Sequence, residues 1–206
     1  SGAKKRQGQS SCALSSIETV RDMAQSLRTH DATVDDPFSQ GSVSSCCMHY
    51  GSAVGDQTTA SMVVSLDGGT PTVFVTGASL PCVSLFKPYR FGNPARLPVV
   101  TPNDPAAAEY WRAAEAYRRA LIGKQLPQSF YEERDALEAG WFADVSNDAA
   151  AMDALLVRAV REETAFYKKY DPAKLPDAGV TPAFHKRWEK KNKTFLAESA
   201  AGGDKA

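Results

Sequence analysis

The chain has 206 residues, 43% apolar and 23% charged, an ordinary composition for a soluble globular protein. It is long enough to bury a core without staples, and with 24 basic against 24 acidic side chains no net field draws it to nucleic acid or anionic lipid. No apolar run approaches the roughly 20 residues that span a bilayer, and no charged start with an apolar core marks a signal peptide.

Residues 1–12 are polar and basic and read as a frayed entry. Ser15 and Glu18 have capping-box spacing, and Ile17, Val20, Met23, Ala24 and Leu27 then predict an amphipathic helix ending near His30. Asp, Ser, Gly and Pro crowd residues 31–43, which predicts a loop. Residues 44–50 read as a short strand, 58–66 as a second, and 72–77 as its return after a tight connection at Asp67-Gly68-Gly69-Thr70. Residues 83–86 suggest a further strand closed by Lys87-Pro88, and repeated prolines predict an extended segment over 88–105.

Asp104 and Pro105 open a helix over 105–123, and 128–143 form another. Asn147 is placed to cap a third helix through Tyr170. Thr181-Pro182 opens a fourth, whose Lys186, Arg187, Lys190, Lys191 and Lys193 form a solvated face. The tail from Ser199 is small and polar, with disorder expected. A helix, antiparallel strands and then a block of helices predict an α+β fold. Residues 1–103 hold the strands, 104–198 the helical region of the same domain, and 199–206 the tail. About four strands are few for a self-contained layered domain, so part of the sheet is expected on another segment.

The four cysteines, Cys12, Cys46, Cys47 and Cys82, form no CxxC pair and fit no zinc template by spacing. Reduced thiols in a cytoplasmic protein are the plain reading. Cys47 and His49, two apart on a strand, would share a face. An imidazole beside a thiol generates thiolate, which makes Cys47 one candidate nucleophile. The alternative is a buried strand whose His is satisfied by a hydroxyl. Thr59 and Ser61 would share one face of the next strand, and Thr58 and Ala60 the other. Such hydroxyls bind a substrate amide or carboxylate, or pair across strands. Ser84 has no Gly-x-Ser-x-Gly elbow around it, and Gly123-Lys124 follows no glycine-rich loop.

Several segments carry a resemblance when taken together. They are Cys47-Met48-His49, the Gln-Thr-Thr-x-Ser-Met run from Gln57 to Met62, Pro71-Thr72 through Thr76-Gly77, and Pro81-Cys82 through Ser84 and Phe86-Lys87-Pro88. Tyr110-Trp111-Arg112 and Glu133-Arg134-Asp135-Ala136-Leu137-Glu138 follow. In this order they resemble the later part of the secernin-type dipeptidases, cysteine hydrolases of the N-terminal-nucleophile class. The likeness covers residues 12–170 and is strongest over 45–88; it departs at Ala114, where the family often carries a His.

The resemblance implies an αββα sandwich, with two antiparallel sheets between helix layers. It implies cysteine-dependent amide hydrolysis, typically of dipeptides, with acylase or acyl-transfer chemistry as a biosynthetic variant. It implies no metal and no organic cofactor. The family's nucleophile is the first mature residue, whereas Ser1-Gly2-Ala3-Lys4-Lys5-Arg6 does not have the pattern of a buried strand. The nucleophilic Cys is therefore expected on a preceding segment or an N-terminal companion chain, as in a split or processed enzyme, and this chain alone is expected to be inactive. His49, Thr58, Thr59 and Ser61 are then the candidates to line or support the substrate pocket, with Cys47 as a thiol of lower rank. The expected ligand is a small peptide or acyl-amide. Neither nucleic acid nor membrane is an expected partner, and a homo-oligomer is compatible with this reading. The alternative is a non-catalytic, secernin-like interaction scaffold.

Overall fold

The structure is a computed structural model, and it describes residues 2–51, 56–66, 69–90 and 105–201. Among these residues the fold is α+β, with seven α-helices and one three-stranded antiparallel sheet. The expected order of helix, strands and helices holds.

Helix α1 (Gly2–Leu14) occupies the segment expected to be frayed. Its run contains no proline and no β-branched residue, and Lys, Arg, Gln and Ala are good helix formers. It buries no residue and is tethered from its surface. Lys5 reaches Asp31 at 3.4 Å, and Gln9 Oε1 accepts from the Cys46 amide at 3.2 Å.

Helix α2 (Val20–Ser26) starts later and ends earlier than expected. Its cap is Thr19, not Ser15. Thr19 Oγ1 accepts from the Asp22 amide at 3.1 Å while the Asp22 carboxylate accepts from the Thr19 amide at 2.9 Å. This reciprocal pair is a capping box with Asp in the acidic place. His30 lies beyond the helix end. The following loop contains a single turn, α3 (Pro37–Gln40), which buries Phe38.

The strand expected over 44–50 is instead a closed loop. Only an isolated bridge, Ser42 with His49, joins its two sides. Gly41, at φ +75°, meets Gly51 back to back, and a Cβ on Gly41 would lie 2.3 Å from Gly51 Cα. Serine side chains satisfy the backbone and one another locally and so compete with a ladder. Ser45 Oγ accepts from the Asp31 amide at 2.8 Å and lies 3.0 Å from Ser42 Oγ.

The sheet runs β1 (Met62–Ser65), β2 (Thr72–Val75), β3 (Lys87–Arg90) in that spatial order, with Val63 opposite Phe74 and Phe74 opposite Pro88. The expected strand at 83–86 is displaced. A 3-10 turn, Pro81–Val83, precedes it, entered through Leu80 in the left-handed region at φ +59°. Among the described residues β3 pairs with β2 alone, so Pro88 forfeits no ladder bond on its outer side. Among the described residues strand β1 is the other edge. Val63 is buried, while Met62, Val64 and Leu66 are 61%, 42% and 75% exposed, so the opposite, apolar face of this strand is turned outward.

Helices α4 (Pro105–Leu121), α5 (Gln128–Ala143), α6 (Ala149–Lys169) and α7 (Pro182–Ala201) follow. Asp148, not Asn147, caps α6 by accepting from the Ala151 amide at 2.7 Å. Helix α7 continues through 199–201, where disorder was expected. The Asp67-Gly68 connection, the 91–104 segment with the Asp104 cap, and residues 202–206 lie outside the described residues.

Helix α2 packs on β1, and α6 on β3. Two buried acids on the helices hold the strand-side segment. Glu138 of α5 accepts from Arg28 Nη1 at 2.8 Å and from the Phe86 amide at 2.7 Å. Glu163 of α6 accepts from Lys87 Nζ at 2.6 Å. Phe130, Trp141, Phe166 and Leu80 form the main core, and Ala24, Val63, Phe74 and Phe86 a second one under α2.

Candidate functional site

Four soft or borderline donors meet in the interior. Cys47 and His49 come from the closed loop, Cys82 from the 3-10 turn, and His30 from the exit of α2. Their donor atoms all lie within 4.8 Å of one another. His49 Nε2 is the centre, 3.1 Å from His30 Nε2, 3.4 Å from Cys47 Sγ and 3.3 Å from Cys82 Sγ. Cys47, His49 and Cys82 are buried and His30 is half-buried.

The backbone fixes each donor. The Cys47 amide donates to Thr29 O at 3.1 Å, linking the loop to the residue before His30. His49 exchanges both backbone bonds with Ser42 at 2.7 Å, and the Phe38 ring stands edge-on to its imidazole at 4.7 Å. Arg28 Nε donates to Pro81 O at 2.9 Å, and Arg134 donates to Cys82 O. Two buried guanidiniums thus clamp the turn that carries Cys82.

Burial alone would push the Cys47 thiol up, but hydrogen bonds from Cys82, His30 and His49 outweigh it and hold the thiol well below its ordinary range. Burial, together with the neighbouring Cys47, pushes the Cys82 thiol well above it. The two sulfurs share one site, so loss of the first proton opposes loss of the second. All four cysteines are free.

A second, polar site lies under α7. A cavity of ≈ 370 Å³ is lined by Gln57, Thr59, Ser79, Glu115, Arg119 and Lys191 among others. Glu115 accepts from Arg119 Nε at 2.8 Å and from the Ser79 amide at 3.1 Å. Gln57 Oε1 and Ser79 Oγ are buried and have no hydrogen-bond partner. Lys191 Nζ sits 3.7 Å from the Tyr50 ring, and Arg187 donates to Gly51 O at 2.7 Å. The basic face of α7 is therefore partly engaged with the loop neck rather than wholly solvated.

The expected pocket residues separate. Thr59 lines the polar cavity. Thr58 does not reach it: its Oγ1 accepts from the Met48 amide at 2.9 Å and donates to Cys46 O at 3.2 Å. Ser61 is joined to Thr76 through its backbone at 3.0 and 3.1 Å. His49 belongs to the thiol cluster. Cys47 has no exposed surface and lines neither this cavity nor the ≈ 540 Å³ groove between α4 and α6, so no substrate reaches it there. Ser84 Oγ donates to Ser79 O and Leu80 O, both at 2.9 Å, which is a structural role.

Sequence reasoning missed His30 as a partner of His49, Cys82 as a partner of Cys47, and Glu115 and Arg119 as cavity residues. One signal was present: the chain has three histidines, and two of them meet here. No helix among the described residues is long and apolar enough to cross a membrane. Comparison with protein-family models, with curated proteins and with solved structures finds no match.

Proposed function

We propose that this chain is the C-terminal portion of a cysteine-dependent amide hydrolase acting on dipeptides, with the nucleophilic Cys on a preceding segment or companion chain. The observation that carries the reading is the polar cavity. Two residues of the Gln-Thr-Thr-x-Ser-Met segment, Gln57 and Thr59, stand there beside two acids, Asp56 and Glu115, and two cations, Arg119 and Lys191. A dipeptide is a zwitterion, and this set offers a partner for each end. Gln57 and Ser79 also line the cavity, and Gln57 Oε1 and Ser79 Oγ lie buried behind its wall without a partner. The volume suits a ligand of that size.

The exposed apolar face of β1, an edge strand among the described residues, supports cover of the sheet by another segment. An edge of this kind pairs readily with a further strand. In the proposed reaction the thiolate of that segment attacks the peptide carbonyl. The leaving amine takes the proton that the α-amine of that Cys drew from the thiol, and water then hydrolyses the thioester, releasing the acid and the thiol. This chain's part is to hold the substrate termini. Sandwich completion and dipeptide cleavage are parts of one proposal.

The test is denaturing intact-mass spectrometry of the natively assembled protein, followed by a dipeptide hydrolysis panel. The expected result is a Cys-led polypeptide, turnover lost when that Cys is alkylated, and a KM raised about tenfold or more by Arg119→Ala with a smaller change in kcat. An assembly with the Cys-led segment that cleaves no dipeptide or acyl-amide overturns the proposal and leaves the interaction scaffold as its successor. An unchanged KM in the Arg119 variant overturns the cavity assignment.

A further inference from the structure

We propose that His30, Cys47, His49 and Cys82 form a closed, structural binding site for a divalent cation of the zinc class. The site goes beyond the hydrolase reading and does not depend on it. It also departs from the metal-free expectation that the resemblance carried.

The first support is the donor set. Two thiols and two imidazoles are the Cys2His2 complement that zinc takes in structural sites, and two thiolates neutralise a divalent charge in a dry interior. The second is geometry. Ligand atoms around a tetrahedral zinc are separated by roughly 3.3–3.8 Å at ordinary bond lengths. The contacts at His49 Nε2 are 3.1, 3.3 and 3.4 Å, and no pair in the set exceeds 4.8 Å. The third is hydrogen-bond arithmetic. An imidazole nitrogen has either one proton or one lone pair, so it serves one partner well. His49 Nε2 faces three. A cation at the centre gives every donor a partner at once.

The surroundings are those of a held site. Arg134 and Arg28 fix the Cys82 turn, and the Cys47 amide is bonded to Thr29 O beside His30. Such outer contacts orient metal ligands. The half-buried His30 leaves the cation a way in from solvent. With four protein ligands no position is left for water or substrate, so the cation would cross-link the exit of α2, the closed loop and the 3-10 turn rather than do chemistry. Spacing did not reveal the site because its ligands come from three separate segments.

The test uses the full chain, reduced and purified after growth with zinc, with cobalt(II) as the spectroscopic probe. We expect one zinc per chain by elemental mass spectrometry, retained through gel filtration. We expect cobalt(II) to give a near-ultraviolet thiolate charge-transfer band and the intense visible bands of tetrahedral coordination. Cys82→Ser should weaken the charge-transfer band, and His30→Gln should retain it while reducing metal retention. If the cysteine variants fail to fold, the wild-type cobalt spectrum and the His30 variant still decide the matter. A folded, reduced wild-type chain that takes up no zinc and shows only the weak spectrum of octahedral cobalt overturns the proposal. So does a charge-transfer band unchanged in both Cys47→Ser and Cys82→Ser. Neither readout involves turnover, so failure here and failure of the hydrolase reading are distinguishable.

Discussion

Two buried polar clusters flank the segment from Thr76 to Lys87, and they differ in whether the protein alone completes them. Around Glu163 the carboxylate and the ammonium are bonded within the chain, although Arg118 Nη1 beside them is buried without a partner. Its oxygens accept from Lys87 at 2.6 Å, from Tyr167 OH at 2.6 Å and from Tyr110 OH. Lys87 uses its remaining N–H groups on Thr76 O at 3.3 Å and Leu85 O at 3.2 Å. Opposite formal charges and hydroxyls satisfy one another. In the thiol–imidazole cluster two thiols and two imidazoles converge, and a single ring nitrogen faces three neighbours. The carboxylate–ammonium pair is completed by the chain itself, whereas the proposed cation would give every donor of the thiol–imidazole cluster a partner at once.

The largest expected effect comes from breaking the closed cluster. Glu163→Gln leaves Lys87 buried without its paired carboxylate and Arg118 without its nearby carboxylate, at 3.5 Å in the wild type. Removing one member of a buried pair destabilises by about 3–5 kcal/mol, a large part of a domain's total stability. Urea unfolding should show it with or without zinc. Cys82→Ser should behave in the opposite way, close to wild type without metal and well below it when zinc is added. Equal sensitivity of the two variants to zinc would erase the distinction between the clusters.

Acid should act on the same cluster. Burial pushes Glu163 up, but Lys87 and Arg118 outweigh it and hold the carboxyl below its ordinary value. Lys87 is likewise below its own ordinary value, burial there outweighing Glu163. For Glu163 the folded value is the depressed one. Its contribution is therefore fully present above the unfolded glutamate value, about 4.3, and is lost as pH falls from there through the folded value. Urea midpoints taken from about pH 6 down to about pH 3 should fall steeply for the wild type and less steeply for Glu163→Gln. Parallel slopes would mean that other carboxyls govern acid unfolding.

The helices were largely legible, because apolar spacing and capping residues are local signals. Residues 128–143 came out with the expected bounds, and α6 shifted its cap by one residue. The loop carrying Cys47 and His49 was misread as a strand. Its shape is set by backbone contact between Gly41 and Gly51, ten residues apart in sequence and invisible to a two-residue period. The left-handed Leu80 likewise turned an expected strand into the bend that delivers Cys82. Cys47 and His49, expected on one face of a strand, instead meet across a loop at 3.4 Å. The other half of the cluster needed the long-range ties through Arg28 and Arg134, which no spacing rule contains.

The smallest effect isolates one side of the comparison. Thr19 caps α2 from an exposed position, far in sequence from every member of the Glu163 cluster, and α2 leads directly to Arg28 and His30. Thr19→Ala removes the side-chain half of the capping box and should cost about 1 kcal/mol. Fraying of α2 loosens the chain that positions His30 and the Arg28 clamp on Pro81. Amide exchange should quicken over residues 20–30 and cobalt retention should fall, while exchange at β3, beside Lys87, should stay at the wild-type rate. Faster exchange at β3 would show that the two clusters share one cooperative unit, and the contrast between them would then concern bonding chemistry alone.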